Sequence, residues 1–220
     1  MKDHLQYFEK NKIIFIHLPK CAGTSIVRNF EIPNTGHITL ERFIQLFGSL
    51  ENFYIFTFVR NPITRFLSAF NYLSYGGRNE EDKNWKSKFN IDRHNYKNVL
   101  KIIEKNIING ELPHHFKTQT YYLKEKQTKK FDKKNINFIG KYENLDSDFK
   151  RLCKNIEREY KPLENENITK LSQNNLLLSH LDTSDLLLLK KIYYEDFINF
   201  YYDGLVNKLR FQSNKLEKLN

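Results

Sequence analysis

The stretch Ile13-Ile14-Phe15-Ile16-His17-Leu18-Pro19-Lys20-Cys21-Ala22-Gly23-Thr24-Ser25 decides how this chain is read. Its first four residues form an unbroken apolar run, the pattern of a strand buried on both faces of a parallel sheet. After Ser25, the residues Ile26, Val27 and Phe30 are spaced for a helix that stops before Pro33. A strand that passes through a short loop into a helix is the opening unit of an α/β sheet. Such sheets bind ligands at the carboxyl ends of their strands. Within the loop, Gly23 is expected to let the backbone approach a ligand closely. The free N–H groups of the helix start, with the Thr24 and Ser25 hydroxyls, can hold an oxyanion, and Lys20 adds a full positive charge. The bland alternative is an ordinary strand–loop–helix corner with a surface lysine.

The loop resembles a phosphate loop without being a Walker A motif, in which the lysine follows the last glycine directly. Here Lys20 precedes Gly23 by three positions, and no acidic magnesium ligand stands out after a later strand. A second buried strand is expected over Phe53 to Val59. Asn61-Pro62 then gives a helix start, with Asn as N-cap and Pro at the first helical position. Ile63, Phe66, Leu67, Phe70 and Leu73 follow at helical spacing, and Gly76-Gly77 ends the helix. A third strand is expected over Ile136 to Ile139, and further helices around Tyr96 to Ile108, Leu145 to Glu159 and Ser184 to Tyr201. The last shows Leu186, Leu189, Tyr193, Phe197 and Phe200 along one face. Together these predict the α/β class, a P-loop-like parallel sheet flanked by helices, in one domain spanning residues 1–220.

In the second motif, Phe58-Val59-Arg60-Asn61-Pro62-Ile63-Thr64-Arg65-Phe66-Leu67-Ser68, Arg60 leaves a strand at the ligand edge of the sheet. Its guanidinium is suited to gripping a phosphate bidentately. Ser68 lies one turn beyond Thr64, on the side of the helix away from Phe66 and Phe70. Arg65 is read as an exposed, solvated helix arginine.

Composition narrows the function classes. The 220 residues are 40% hydrophobic and 15% aromatic, which excludes a disordered tail protein. Lys plus Arg number 36 against 26 Asp plus Glu, a formal charge of +10. The expected partners are therefore anionic: a phosphorylated cofactor, nucleic acid, an acidic glycan or a membrane surface. Cys21 and Cys153 are too few for a disulfide framework or a zinc site. The amino terminus carries no signal-peptide pattern, and no apolar run approaches the ~20 residues a transmembrane helix needs. These features predict a protein of the reducing cytoplasm, with no membrane-spanning segment. Asn167-Ile168-Thr169 matches the N-glycosylation pattern, which is read as chance.

Taken as a pair, the two motifs resemble those of the sulfotransferases that use 3′-phosphoadenosine 5′-phosphosulfate (PAPS). The resemblance is closest to the carbohydrate branch, which includes heparan 2-O-sulfotransferases and many bacterial relatives. That family opens with a strand followed by His-x-Pro-Lys-Thr-Gly/Ala-Gly-Thr-Ser, and its second signature is Phe-x-Arg-Asn/Asp-Pro-x-x-Arg-x-x-Ser. The resemblance implies that Lys20, Cys21, Ala22, Gly23, Thr24 and Ser25 bind the 5′-phosphosulfate, and that Arg60 and Ser68 bind the 3′-phosphate. Cys21 departs from the usual Thr. Phe138-Ile139-Gly140-Lys141-Tyr142-Glu143-Asn144-Leu145 is similar to a later family segment, with Lys for Arg. Tyr193-Tyr194-Glu195-Asp196-Phe197 resembles its closing helix. Asn167 to Lys170 resembles the late loop over the nucleotide, which would add Thr169 and Lys170 to the donor site.

Gly36-His37-Ile38 resembles the segment of the glycan branch whose His is the catalytic base; the bland reading of His37 is a helix-flanking polar residue. His114-His115-Phe116-Lys117-Thr118-Gln119 is similar to a His-x-x-x-Gln element and points to His115 in the acceptor cleft. Adjacent histidines are poorly spaced for a single metal ion, so no metal is expected. The resemblance implies sulfuryl transfer from PAPS to a glycan hydroxyl, an acidic polysaccharide among the acceptors, with His37 as base and Lys20 stabilising the leaving oxygen. Two other classes stay open on the residues alone. One is a nucleotide-dependent phosphotransferase, and the other a non-catalytic basic protein that binds nucleic acid.

Overall fold

A computed structural model of the chain describes residues 2–108, 111–125, 131–164 and 176–202. Helix α1 (Lys2–Asn11) leads into strand β1 (Ile13–Ile16), and α2 (Gly23–Asn29) and α3 (Leu40–Phe47) follow. Strand β2 (Tyr54–Val59) runs into α4 (Pro62–Ser74), then α5 (Glu80–Lys88), α6 (Tyr96–Asn106) and the short α7 (Gln119–Leu123). Strand β3 (Phe138–Lys141) precedes α8 (Leu145–Asn155), α9 (Thr183–Ile192) and α10 (Tyr194–Asn199).

The strands form a parallel sheet in the order β1-β2-β3, with Ile16 opposite Thr57 and Val59 opposite Lys141. β2 is central because it is apolar almost throughout. Its one buried polar side chain, Thr57, donates from Oγ1 to the Ile16 carbonyl at 2.8 Å, which satisfies the hydroxyl at little cost. β3 starts two residues later than its apolar run suggests. Asn137 takes the Ile55 N–H on its side-chain oxygen at 2.7 Å and returns its own N–H to the Ile55 carbonyl. A side chain thus does what the strand backbone would otherwise do.

Helix α4 begins as its sequence predicts. The Asn61 side chain accepts from the N–H groups of Ile63 and Thr64, and Pro62 occupies the first turn. Its surroundings differ from the expectation: Ile63, Arg65, Phe66, Leu67, Ala69, Phe70, Asn71, Leu73 and Ser74 are all buried. The helix is walled in on nearly every side, so the arginine read as solvated is part of the core. The long helix expected over Ser184 to Tyr201 is instead two, broken at Tyr193. Tyr193 is wholly buried, and its hydroxyl donates to the Phe116 carbonyl at 3.0 Å. Anchoring that ring turns the chain, so α10 leaves on a new axis.

All three strands end on the same edge of the sheet. β1 feeds residues 17–22, β2 feeds Arg60 and Asn61, and β3 feeds Tyr142 and Glu143. Lys20 of the first motif and Arg60 of the second meet along that edge.

Candidate active site

The loop after β1 departs from helix and strand geometry at two non-glycine positions, Lys20 (φ 65°) and Ala22 (φ 64°). Left-handed backbone at such residues costs of order 1–3 kcal/mol each and persists only where the surroundings enforce it. Part of the enforcement is visible. The Cys21 thiol is turned inward, within 3.5 Å of the Pro19 carbonyl and 3.4 Å of Gln119 Oε1. Burial pushes that thiol up to about 12, so it stays protonated at neutral pH. Helix α2 then starts at Gly23 with no side-chain cap. Gly23 has a second reason to lack a side chain. A Cβ there would meet the His17 ring at 1.9 Å, so the close approach is between the loop and His17.

Lys20 and Arg60 stand together at this edge. Arg60 donates from Nε to Thr64 Oγ1 at 3.1 Å and from Nη1 to the Lys20 carbonyl at 3.3 Å, and its guanidinium lies 4.1 Å over the Tyr142 ring. The Lys20 ammonium sits 4.1 Å over the Tyr72 ring. Among the described residues no carboxylate lies within ion-pair distance of either cation. Burial, and then the Arg60 and Arg78 charges, lower Lys20 to about 8. Thr24 and Ser68 are half-buried, and Ser25 is buried. Thr169 and Lys170 lie outside the described residues.

Beside the cations, His17, His37, His114 and His115 gather. Ring centroids are 4.5 Å apart for His17 and His37, 4.8 Å for His37 and His114, and 3.9 Å for His114 and His115. His37 Nδ1 lies 2.9 Å from the His17 carbonyl. That contact places its hydrogen on Nδ1 and leaves Nε2 with a free lone pair. Burial lowers His37 to about 4, with the His114 and Lys20 charges acting in the same sense. Burial also holds His115 well below its ordinary value, and its Nδ1 has no hydrogen-bond partner. Asp82 Oδ1 stands 3.7 Å from it, itself unpartnered and fully buried. Asp82 Oδ2 accepts from the Tyr72 hydroxyl at 2.6 Å and the Arg78 N–H at 3.1 Å. One buried carboxylate therefore reaches both the histidines and, through Tyr72, the ring beneath Lys20.

The sequence that builds this edge is matched by a family model. The model of the sulfotransferase family aligns with residues 3–203. The chain belongs to the sulfotransferase family. No curated protein and no solved structure gives a significant match to it.

Several residues that shape this sulfotransferase site carry no motif of their own. Asp82 sits in a polar helix, Tyr72 on the far side of α4 from the apolar stripe, and Tyr142 just after β3. Gln119, read with the acceptor cleft, is wholly buried. Its side chain clamps the end of β2, accepting from the Arg60 N–H at 2.8 Å and donating to the Arg60 carbonyl at 2.9 Å. Arg65 is also wholly buried. It donates to the His115 carbonyl at 3.1 Å and the Lys117 carbonyl at 2.6 Å, which fixes the turn carrying both histidines. A charged residue inside an otherwise apolar helix was the available signal.

Proposed function

We propose that this sulfotransferase moves the sulfuryl group of PAPS to a hydroxyl of a carbohydrate acceptor. The observation that carries the reading is the adjacency of Lys20 and Arg60. Two cations held side by side, with no carboxylate among the described residues within ion-pair distance of either, repel each other, which fits a donor bearing phosphosulfate and 3′-phosphate groups. In this reading residues 20–25 and the start of α2 take the phosphosulfate, and Arg60 with Ser68 takes the 3′-phosphate. Thr169 and Lys170 are assigned to the same donor site on resemblance alone.

The donor supplies an activated sulfur. Its S–O bond to phosphate breaks as a new S–O bond forms to the acceptor oxygen. His37 Nε2 takes the acceptor's proton, and the contact of Nδ1 with the His17 carbonyl steadies the imidazolium that results. Lys20 offsets negative charge on the departing phosphate oxygen from a site largely shielded from water, where that charge counts for more. His115, deeper in the cluster, lines the acceptor side through its neighbour His114. The +10 charge suits an acidic polysaccharide. Cys21 and Cys153, both free and buried, suit a reducing cytoplasm.

The test has two arms. Thermal melts are run with PAPS, 3′,5′-diphosphoadenosine, AMP and ATP. The 3′-phosphorylated nucleotides should stabilise by about 2.7 kcal/mol at a hundredfold excess over the dissociation constant. Equal shifts from AMP would remove the Arg60 and Ser68 grip, and a preference for ATP would favour phosphoryl transfer. Radiolabelled PAPS is then offered to glycans, peptides and phenols. Transfer to peptides or phenols with none to glycans would overturn the acceptor class.

A further inference from the structure

The histidine cluster has a feature that proton transfer alone does not use. A ring nitrogen from each of His37, His114 and His115 lies within 4.8 Å of those of the other two. One Nδ1 is hydrogen-bonded, and carboxylates stand near the other two beyond hydrogen-bond distance. His37 Nδ1 is 2.9 Å from the His17 carbonyl, His115 Nδ1 is 3.7 Å from Asp82 Oδ1, and His114 Nδ1 is 3.9 Å from Glu81 Oε1. Ligating histidines characteristically direct their second N–H to a carboxylate or carbonyl, which fixes the tautomer and strengthens the ligand. For His37, whose Nδ1 makes such a contact, Nε2 is left as the ligand.

We propose that His37, His114 and His115 form a site for a first-row transition metal ion, with Zn2+ or Ni2+ the best matched. Three imidazoles and no carboxylate in the inner sphere suit these ions and not Mg2+ or Ca2+. Three nitrogens around tetrahedral zinc stand about 3.3 Å apart, given bonds of about 2.0–2.1 Å. Closing from 4.8 Å takes a small inward rotation, for which His114, with a side chain 24% exposed, has room. The Lys20 charge opposes the ion, and the buried Asp82 carboxylate offsets it.

The adjacency of His114 and His115 in sequence argued against a shared ion. The 3-10 turn His114–Phe116 brings both rings within reach of His37 from a distant segment, so the third ligand comes from outside the pair. An ion there would occupy the lone pair of His37, so it would stop transfer and not assist it. That consequence rests on the function proposed above; the binding site does not.

The tag-free chain, stripped with a chelator, is titrated with Co2+ at pH 7.5 while visible absorption is recorded. One equivalent should raise a tetrahedral band that Zn2+ then abolishes. His114→Gln and His37→Gln should each weaken Co2+ binding at least tenfold, and Asp82→Asn about 10–100-fold. His94→Gln, on an exposed residue remote from the cluster, should leave it unchanged. No band, or a band equally strong in His114→Gln and His37→Gln, would overturn the site. Zn2+ that binds stoichiometrically without slowing transfer leaves the site standing and removes His37 as the base.

Discussion

Gly23→Ala separates two explanations of the anion loop. A methyl on Gly23 would stand 1.9 Å from His17 Cδ2 and 2.0 Å from Nε2. Carbon atoms in contact keep about 3.5–4.0 Å, so the overlap exceeds an ångström. The ring has little room to yield, being stacked on Phe15 at 5.6 Å and held edge-on to His37 at 4.5 Å. Overpacking of this kind costs about 1–3 kcal/mol, a melting midpoint lower by roughly 2–12 °C for a chain of this length. The assay is a double-mutant cycle by thermal and urea unfolding. In a His17→Ala background the new methyl meets no ring, and the cost of Gly23→Ala should fall close to zero, since Ala is the better helix residue. An equal cost in both backgrounds would refute the reasoning. So would a normal melting midpoint with lost nucleotide binding, which would return Gly23 to the role of admitting the ligand.

Other outcomes follow from the same geometry. His37→Ala should lower turnover about 10²–10⁴-fold while nucleotide affinity by calorimetry stays near that of the wild type. The base works only when neutral, and His37 is lowered to about 4, so wild-type activity should fall only as pH drops toward 4 and not near 6.5; a pH–rate profile measures this. Lys20, lowered to about 8, should regain its proton when an anion binds. Nucleotide binding at pH 8 should therefore take up protons, visible as a dependence of calorimetric heat on the buffer, and affinity should weaken above pH 8. Arg60→Ala should cost about 1.5–3 kcal/mol of affinity for 3′,5′-diphosphoadenosine, roughly 10- to 150-fold. Arg65→Ala should destabilise the fold by about 3–5 kcal/mol, because it strips donors from two carbonyls and leaves the buried Asp196 without its nearby cation; urea titration resolves a loss of that size.

Most of the sheet edge was legible because its signals are local. An unbroken apolar run makes β1, and Asn61-Pro62 caps α4 within four residues of the strand before it. What escaped reading depends on contacts distant in sequence. Helix α5 packs through Asp82 and not an apolar stripe, so hydrophobic period gives no sign of it. Arg65 has the spacing of a surface residue, and only the turn at His115 to Lys117, some fifty positions away, draws it inward. The break at Tyr193 is equally silent, since the apolar face continues across it and only the Phe116 carbonyl explains the bend. At Gly23 the crowding by the His17 ring is silent too, because the sequence shows only that a glycine stands in the loop.

The late residues of the chain bear on when this enzyme first becomes active. The Asp196 carboxylate accepts the N–H groups of Gln119 and Thr120, each at 2.8 Å, and the Tyr202 hydroxyl holds Glu143, whose other oxygen takes the Asn61 N–H. A chain emerging from the ribosome at about 5–20 residues per second exposes both motifs long before these two residues are made. Until then Gln119 and Glu143, which clamp the end of β2, lack their own supports. The nascent protein can thus display every residue that chemistry requires while the end of β2 is still loosely held, so sulfuryl transfer should reach its full rate only once Tyr202 has cleared the exit tunnel.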